Sequence, residues 1–452
     1  MMNQYVHARD VAAIALVGGE GARLPPYTWV RAKPAVQTGN TRLASYSTSN
    51  AENSGIDKIV LAAQHLPRSL RRFYADYYGT DFGPDRRVDM TDPNEFQKDN
   101  PRYHGTADAF WKAMTITRAN QRRYILGLSG DHIYKFDFQE LFDAMPEQHQ
   151  NADFVILTQE VSREDAPRFG ILFTDGNKVV NFMEKPKELP GRKKKYDASL
   201  GIYFAKVDIW EQILQADRNK LEYKDGEKDP LTQTEHDLGK DVIPELLRRG
   251  YNVHSHRFNG YWRDVGVPKA LYDSIMDIFI RQEPPIIGDP RITVAALYDP
   301  QFRVDGEKYF TCGKFDAHNS RLNGSVFSSG VRIRNAEVRD SILMGGYHTD
   351  TVIGANSVLR RAMLDKEVIT NEGVELIGTG ENIIMVAKAT KIPAGTKIQT
   401  PNDAIVAPLE EMVGNANNLI KFRREVSSKV ELYTPDGRMV TFEELTHLAH
   451  KF

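Results

Sequence analysis

Short apolar runs alternate with amphipathic stretches along the first 275 or so residues, and this alternation limits the possible folds most strongly. ADAFWKAMTITRAN and FQELFDAM, which separate some of these runs, have the spacing of amphipathic helices. Runs of this length and composition are typical of buried strands. The apolar runs are VAAIALV, DKIVLAA, RRYILGLSG, ADFVILTQE, KVVNFME, ASLGIYFA and YNVHSHRF. The pattern predicts an α/β domain around a mainly parallel sheet.

The hydrophobic pattern changes in the last third of the chain. From Ser325 to about Gly378, aliphatic residues recur every five or six positions, with glycines and small or polar residues between them. This spacing fits neither a helix nor a simple alternating strand, and it predicts a parallel β-helix of stacked coils. An irregular antiparallel sheet is the alternative. The aliphatic positions are Val326, Val331, Val338, Ile342, Ile353, Val358, Leu364, Ile369 and Val374.

These two patterns predict the domain organisation of the 452-residue chain. We expect an α/β domain over residues 1–288, a linker over 289–320, a β-helix over 321–380 and a C-terminal extension of unknown role over 381–452. A chain of this length has room for more than one hydrophobic core.

Composition excludes several classes of function. Lys plus Arg number 59 and Asp plus Glu 61, so the net charge of −2 gives no overall field that would attract nucleic acid or an anionic membrane. The single cysteine, Cys312, excludes an intrachain disulfide framework and a cysteine-ligated zinc site. Because the sequence contains neither an apolar run of about 18 residues nor the apolar core of a secretory signal, we expect a cytoplasmic protein.

The stretch AIALVGGEGARLPPYTWVRAKPAV combines a strand, a glycine turn and cations. Glycines at the carboxyl end of a strand expose backbone N–H groups, and such turns bind phosphate. The spacing matches neither the P-loop nor the GxGxxG dinucleotide motif. The cations Arg23, Arg31 and Lys33 follow, and they are suited to neutralising a polyphosphate.

Several motifs in fixed order resemble those of a known family. They are GGEGARLPPYTWVRAKPAV, YHGTADA, SGDHIYKFD, FMEKP, ASLGIY, HDLGKDVIP and YWRDVG. Together they resemble the bacterial ADP-glucose pyrophosphorylases, or glucose-1-phosphate adenylyltransferases, of the sugar-nucleotidyltransferase superfamily. The resemblance spans roughly residues 11 to 380. It implies a Rossmann-like nucleotidyltransferase domain with a mixed, mainly parallel sheet, followed by a left-handed parallel β-helix.

The resemblance implies transfer of the adenylyl group of ATP to glucose 1-phosphate, giving ADP-glucose and pyrophosphate for glycogen or α-glucan synthesis. Arg23, Lys33 and Asp131 are then the catalytic residues. Asp131 and Asp264 are the implied ligands of Mg²⁺, a hard cation that prefers carboxylate oxygens. A zinc site is not expected, because His132 and His104 lack further ligands at suitable spacing.

The resemblance also implies two sets of binding residues and an assembly. The nucleotide-binding residues are Gly18, Gly19, Gly21, Gln64, Tyr103, Gly105 and Thr106. The sugar-phosphate-binding residues are Glu184, Lys185, Ser199, Tyr203 and Asp237. We expect a homotetramer and a small-molecule allosteric effector, with no nucleic-acid or membrane partner.

Departures from the family pattern leave two alternatives open. Ala22 removes one potential phosphate donor, Ser45 stands where an aspartate is expected, and Val30 argues against activation by fructose bisphosphate. One alternative is a nucleotidyltransferase with another nucleotide or sugar. The other is a non-catalytic regulatory subunit or sugar-phosphate sensor, which the presence of the candidate catalytic cations and carboxylates disfavours.

Overall fold

A computed structural model describes residues 5–78, 88–93, 102–223, 229–281, 300–304, 308–346 and 349–450. The chain divides into two compact units. The first unit comprises Met1–Gly19, Tyr46–Gly130 and Tyr134–Tyr261, and the second comprises Glu20–Ser45, Asp131–Ile133 and Trp262–Phe452. The predicted domain limits stay a prediction, and the predicted linker lies partly outside the described residues.

The strands of the α/β region are β1 (Val11–Leu16), β2 (Gln37–Thr38), β3 (Thr41–Arg42), β4 (Lys58–Ala62), β5 (Val88–Thr91), β6 (Tyr124–Ser129), β7 (His132–Tyr134), β8 (Phe154–Ser162), β9 (Gly170–Asp175), β10 (Lys178–Glu184), β11 (Lys195–Lys206), β12 (Leu221–Glu222), β13 (Gln233–Thr234), β14 (Val253–Arg257) and β15 (Trp262–Asp264). All seven apolar runs predicted as strands form strands.

The α-helices are α1 (Leu43–Asn53), α2 (Arg68–Tyr78), α3 (Thr106–Ile116), α4 (Phe138–Ala144), α5 (Val207–Arg218), α6 (Ile243–Arg248), α7 (Pro268–Met276), α8 (Leu409–Gly414), α9 (Ala416–Glu425) and α10 (Phe442–Ala449). Both amphipathic stretches predicted as helices are helical. In the described part of the chain, no helix is long and apolar enough to cross a membrane.

A nine-stranded sheet forms the centre of the first unit, in the order β5-β4-β1-β6-β11-β8-β14-β10-β9. β1 pairs in parallel with β4 and β6, and five of its six residues are buried. β10 and β11 run against the other seven strands, so the sheet is mixed with one dominant direction. Because parallel strands end at one edge, the residues after β1, β4 and β6 meet there, where α/β proteins bind ligands.

Short strands form most of the second unit. They are β16 (Pro300–Val304), β17 (Lys308–Cys312), β18 (Phe315–His318), β19 (Arg321–Asn323), β20 (Val326–Phe327), β21 (Val331–Arg334), β22 (Glu337–Arg339), β23 (Ile342–Leu343), β24 (Thr351–Ile353), β25 (Val358–Arg360), β26 (Ala362–Leu364), β27 (Ile369–Thr370), β28 (Glu375–Gly378), β29 (Ile384–Val386), β30 (Lys391–Ile392), β31 (Lys397–Thr400), β32 (Ala404–Val406), β33 (Glu431–Tyr433) and β34 (Met439–Val440). All the described pairs among these strands except β16–β17 and β33–β34 are parallel.

From β18 to β32 each successive strand joins a different one of three sheets, so that every third strand is a neighbour. The three orders are β18-β21-β24-β27-β30, β19-β22-β25-β28-β31 and β20-β23-β26-β29-β32. All the pairs within them are parallel, which corrects the alternative of an irregular antiparallel sheet. Equivalent apolar residues stack from coil to coil and are almost fully buried: Val326, Ile342, Met363, Met385 and Ile405.

The stacked strands continue past residue 380, the predicted end of the coils. VAKATKIPAGTKIQTP, which we expected to belong to the C-terminal extension, contributes β30 and β31. The aliphatic residues in these strands are Ile392 and Ile398, both buried, and the prolines and glycines around them hide their periodicity in the sequence. β33, β34 and α8 to α10 then complete the described part of the chain.

Candidate active site

The first two glycines of the turn lie after β1 in the first unit. A methyl group on Gly18 would stand 3.1 Å from Cβ of Gln64, so the predicted nucleotide-binding Gln64 packs directly against this glycine. A methyl group on Gly19 would meet no atom within 4 Å. The backbone at Gly19 is therefore open to a ligand, as a phosphate-binding turn requires.

Gly21 lies in the second unit and determines the path of the chain to Lys33. Its φ of +70° is in the left-handed region, and a methyl group there would stand 2.8 Å from both Cβ of Lys33 and Cγ2 of Thr28. The hydroxyl of Thr28 donates to the carbonyl of Gly21 at 2.9 Å. Only glycine fits this conformation without strain, and the close packing holds the stem of Lys33 in place.

Lys33 bridges the two predicted metal ligands within the second unit. Its Nζ donates to Oδ2 of Asp131 at 2.7 Å and to Oδ1 of Asp264 at 3.3 Å. Lys33 is buried, and burial lowers the pKa of its ammonium, but the two carboxylates outweigh this effect and the pKa is raised overall. The charged ammonium of Lys33 is thus held beside two carboxylates.

The same residues can hold a divalent cation. Oxygen atoms of Asp131 and Asp264 and a ring nitrogen of His132 all lie within 4.8 Å of one another. Asp131 follows β6 and Asp264 ends β15, which pairs with β7 in a two-stranded sheet. The two carboxylates of this group fit Mg²⁺, which proteins commonly hold through one or two carboxylates together with substrate phosphates.

Arg23 lies near Asp264, one of these two carboxylates. A methyl group on Gly266 would stand 3.3 Å from a terminal nitrogen of Arg23 and 3.1 Å from Oδ2 of Asp264. Both charged groups therefore flank Gly266, and the side chain of Arg23 is exposed. The second unit thus brings together all three predicted catalytic residues and both predicted metal ligands.

The remaining predicted nucleotide-binding residues lie in the first unit. Oε1 of Gln64 accepts the backbone N–H of Tyr103 at 2.6 Å. Gly105 precedes α3, and a methyl group there would overlap the carbonyl oxygen of His236 at 2.2 Å. Glycine is therefore required at position 105 by the close approach of the segment around His236.

Thr106, a predicted nucleotide-binding residue, contacts the predicted sugar-phosphate-binding residue Asp237 within the first unit. Its hydroxyl donates to Oδ2 of Asp237 at 3.1 Å and accepts the backbone N–H of Leu238 at 2.8 Å. The other carboxylate oxygen of Asp237 accepts the N–H groups of Gly239 and Lys240, both at 2.9 Å, and so caps the π-helical turn Leu238–Val242. Asp237 is held rigidly at the start of this turn.

Glu184, Asp237 and Tyr203 form a group of polar side chains in the first unit. Oε2 of Glu184 lies 2.7 Å and 2.8 Å from the positions that methyl groups on Gly239 and Gly170 would occupy. Burial raises the pKa of Tyr203, and the negative charges of Glu184 and Asp237 raise it further. Two carboxylates and a phenol close together are suited to binding sugar hydroxyls.

Lys185 directly follows β10, and Ser199 lies within β11. Nζ of Lys185 pairs with Glu184 at 3.0 Å, and its side chain is 62% exposed, so it can reach a ligand. Ser199 lies in β11 before an irregularity in strand pairing, and its hydroxyl accepts the N–H of Gly201 at 3.2 Å. The first unit therefore brings the predicted sugar-phosphate-binding residues together from β10, β11 and the start of the π-helical turn, which are separate in the sequence.

Two further contacts were not predicted from the sequence. Nδ1 of His236 lies 2.8 Å from the buried Asp217, and this hydrogen bond, more than offsetting burial, raises the pKa of His236. Nε1 of Trp262 donates to Nδ1 of His132 at 3.3 Å. The family motifs contain His236, His132 and Trp262, but only tertiary structure reveals these contacts.

Comparison with known proteins agrees with the geometry. The profile of the family described as nucleotidyl transferase matches residues 12–279. A glucose-1-phosphate adenylyltransferase of Desulfitobacterium hafniense (strain Y51) is 30% identical over 384 residues, which cover 84% of this chain and 88% of that protein. The protein of the same name from Clostridium novyi (strain NT) is 31% identical over 356 residues, covering 78% and 84%.

A third relative is the glucose-1-phosphate adenylyltransferase of Pasteurella multocida (strain Pm70), which is 30% identical over 411 residues, covering 83% of this chain and 88% of that protein. The match extends well beyond the α/β region, as the ordered motifs predict. The family prediction is confirmed: the chain belongs to the glucose-1-phosphate adenylyltransferases of the nucleotidyl transferase family.

Proposed function

We propose that the protein transfers the adenylyl group of ATP to glucose 1-phosphate, giving ADP-glucose and pyrophosphate for glycogen or α-glucan synthesis. The observation that carries this proposal is the buried Lys33 ammonium held by Asp131 and Asp264. This arrangement offers one cation to phosphates and two carboxylates to a metal, as phosphoryl and nucleotidyl transfer require. The family of the chain supports the same reaction.

In the proposed reaction, a phosphate oxygen of glucose 1-phosphate attacks the α-phosphorus of ATP. The bond from this phosphorus to the bridging oxygen of the β-phosphate breaks, and pyrophosphate leaves with the electron pair. No protein nucleophile is needed, so the side chains act by positioning and by neutralising charge. Lys33 and Arg23 stabilise the charge that develops on the α-phosphate and on pyrophosphate.

The other residues bind and orient the substrates. The backbone at Gly18, Gly19 and Gly21 donates to the triphosphate, and Gln64, Tyr103, Gly105 and Thr106 hold the base. Glu184, Ser199, Tyr203 and Asp237 bind the sugar hydroxyls, and Lys185 binds the sugar phosphate. Asp131 and Asp264 hold Mg²⁺, which when bound supplies further positive charge to the phosphates.

We extend the proposal to the handedness of the stacked coils and to the assembly, regulation and location of the protein. The three sheets of stacked strands in the second unit form a left-handed parallel β-helix. We also propose a homotetramer that responds to a small-molecule effector and works in the cytoplasm. The alternative substrates named above remain open to test, because a few contacts decide the choice of base.

The proposed chemistry is tested by ADP-glucose formation from ATP, glucose 1-phosphate and Mg²⁺, followed by mass spectrometry. Asp131→Asn keeps the shape of the side chain but removes the negative charge, and we expect turnover to fall by about 10² to 10³ with the fold retained. Asp137→Asn is the matched control, because the side-chain contact that the described residues show for Asp137 is the cap of α4, where it accepts from the backbone N–H of Gln139. Full turnover in Asp131→Asn would remove this residue from its proposed role.

A further inference from the structure

His132 faces the two carboxylates of the proposed metal site. Its Nε2 lies 3.5 Å from Oδ1 of Asp131 and 3.7 Å from Oδ1 of Asp264. By position alone it would complete a site with two carboxylates and one imidazole. Such a donor set takes Zn²⁺, Mn²⁺ or Co²⁺ readily, whereas a site of oxygen ligands alone suits Mg²⁺.

Trp262 decides which nitrogen of His132 carries the proton. An indole N–H only donates, so at 3.3 Å Nδ1 of His132 accepts, and the proton of the ring is assigned to Nε2. The two rings meet edge to face, with centroids 5.3 Å apart and planes at 89°. Histidines that ligate metals show the opposite arrangement, because they donate the N–H of the nitrogen that does not bind the metal.

We infer that Trp262 and His132 are positioning residues that set the metal preference of the site. Trp262 holds His132 in the Nε2–H tautomer, so that His132 presents a donor to the carboxylates rather than a lone pair to the cation. Lys33 donates to Oδ2 of Asp131, and Nε2 of His132 lies 3.5 Å from Oδ1, so the two side chains flank this carboxylate. The site thereby binds its cation through oxygen ligands alone.

Local structure supports the assignment. Asp131 and His132 are consecutive, and Trp262 and Asp264 lie on β15, which pairs with β7. One strand pair thus places the ligand carboxylates and the tautomer-setting contact side by side. His132 and Asp264 have side chains only 13% and 14% exposed, so water competes little with these contacts. This inference rests on the proposed function, because it assumes that the carboxylates hold a divalent cation.

Pulsed EPR of Mn²⁺ bound with pyrophosphate, which contains no nitrogen, tests the inference without any turnover. The wild-type protein is expected to show coupling to ³¹P but none to a directly bound ¹⁴N. Trp262→Phe keeps an aromatic ring but removes the N–H, which frees Nδ1 to carry the proton. We expect Trp262→Phe to gain a ¹⁴N coupling and to raise the affinity for Co²⁺ relative to Mg²⁺ by about tenfold.

The double variant Trp262→Phe/His132→Gln is the matched control, and it should lose both gains. Since His132 is not a ligand, His132→Gln alone should bind Mn²⁺ with pyrophosphate within a few-fold of the wild-type affinity. A ¹⁴N coupling in the wild-type protein that disappears in His132→Gln would overturn the inference, even if Trp262→Phe does not fold. So would a folded Trp262→Phe without the coupling.

Failure of the proposed function has a different signature. If the wild-type protein neither immobilises Mn²⁺ with pyrophosphate nor forms ADP-glucose, the carboxylates are not a metal site, and the proposed function and the inference both fall. If ADP-glucose forms and the ¹⁴N coupling is present in the wild-type protein, only the assignment of the tautomer is wrong.

Discussion

Gly21 and Gly19 belong to the same turn but should respond differently to an added methyl group. Gly21→Ala places a methyl group 2.8 Å from Lys33 at a positive φ, so we expect the free energy of unfolding to fall by about 1–3 kcal/mol and turnover to fall with it. Gly19→Ala meets no atom within 4 Å and should change stability by less than about 0.5 kcal/mol.

Urea unfolding and kinetics with ATP check this pair. If Gly19 faces the triphosphate, Gly19→Ala should raise the KM for ATP although its stability is unchanged. Equal stability of the two variants would mean that the packing of Gly21 against Lys33 is not as described.

Arg31 and Asp365 form a buried ion pair within the second unit. Both oxygens of Asp365 accept from Nη1 of Arg31, at 2.9 and 2.8 Å, and the side chains are 3% and 0% exposed. Asp365→Leu should lower the free energy of unfolding by about 3–5 kcal/mol, because it leaves a buried cation without its carboxylate. Chemical unfolding monitored by circular dichroism measures the change.

Lys269 and Glu381 provide the control for this ion pair. Nζ of Lys269 lies 3.5 Å from Oε2 of Glu381, but the side chain of Glu381 is 85% exposed. Glu381→Ala should therefore lower the free energy of unfolding by less than about 1 kcal/mol. Similar losses in Asp365→Leu and Glu381→Ala would contradict the view that burial makes the first pair important. The sequence motif RAKP pointed to Arg31 only as a phosphate-binding cation, and its carboxylate partner lies 334 positions away.

Thr106 connects the start of α3 to the π-helical turn that follows Asp237. Thr106→Val removes the hydroxyl that contacts Asp237 and Leu238. Because the residues on either side are proposed to bind base and sugar, we expect KM to rise about 3- to 10-fold for both ATP and glucose 1-phosphate. Steady-state kinetics with each substrate varied in turn measure this effect.

Thr106→Ser keeps the hydroxyl and should restore most of the affinity. Thr115→Val is a control on the same helix, because Thr115 bonds only to carbonyls of its own helix among the contacts described. A rise in KM for only one substrate would mean that Thr106 acts as a ligand and not as a connection between the two segments.

The strands and helices around the sheet could be predicted because their local pattern is strong. The run VAAIALV is apolar throughout and becomes the buried β1, and ADAFWKAM has the helical period of α3. The continuation of the coils to Val406 could not be predicted, since β30 contains only two residues and its single buried aliphatic side chain gives no period. Short coil strands depend on their neighbours in the stack.

The candidate site could be predicted from motifs, but its connections could not. Family motifs named Lys33, Asp131 and Asp264, and the structure places all three in hydrogen-bonding contact. The contacts of Trp262 with His132 and of Asp217 with His236 join segments that are 130 and 19 positions apart. No local period links such pairs, so only the folded chain shows them.

A cluster of three histidines should make the stability of the whole protein depend on pH. His149 is 1% exposed and lies 3.3 Å from His254 and 3.0 Å from His256. Burial, with the neighbouring imidazoles, lowers the pKa of His149 to about 4, and burial also lowers the pKa of His254 and His256. In the unfolded chain these groups bind protons near pH 6.5.

Since the unfolded state gains protons first, the stability that these histidines contribute is complete above pH 6.5 and is lost as the pH falls from 6.5 towards 4. We expect the free energy of unfolding of the wild-type protein to fall over this range by about 1–3 kcal/mol more than that of His149→Gln. Urea unfolding at each pH measures the difference. Identical pH dependence in the two proteins would contradict the view that burial in this cluster lowers the pKa of His149.

Adenylyl transfer is tested most directly by the rate of pyrophosphate release with glucose 1-phosphate and Mg²⁺, with ATP, UTP, GTP, CTP and dTTP supplied separately at equal concentration. We predict rapid release with ATP and far slower release with the other four. Preference for another nucleotide would keep the mechanism but contradict the named product. No release with any nucleotide, with and without sugar-phosphate activators, would contradict the assignment as an enzyme and favour a regulatory subunit.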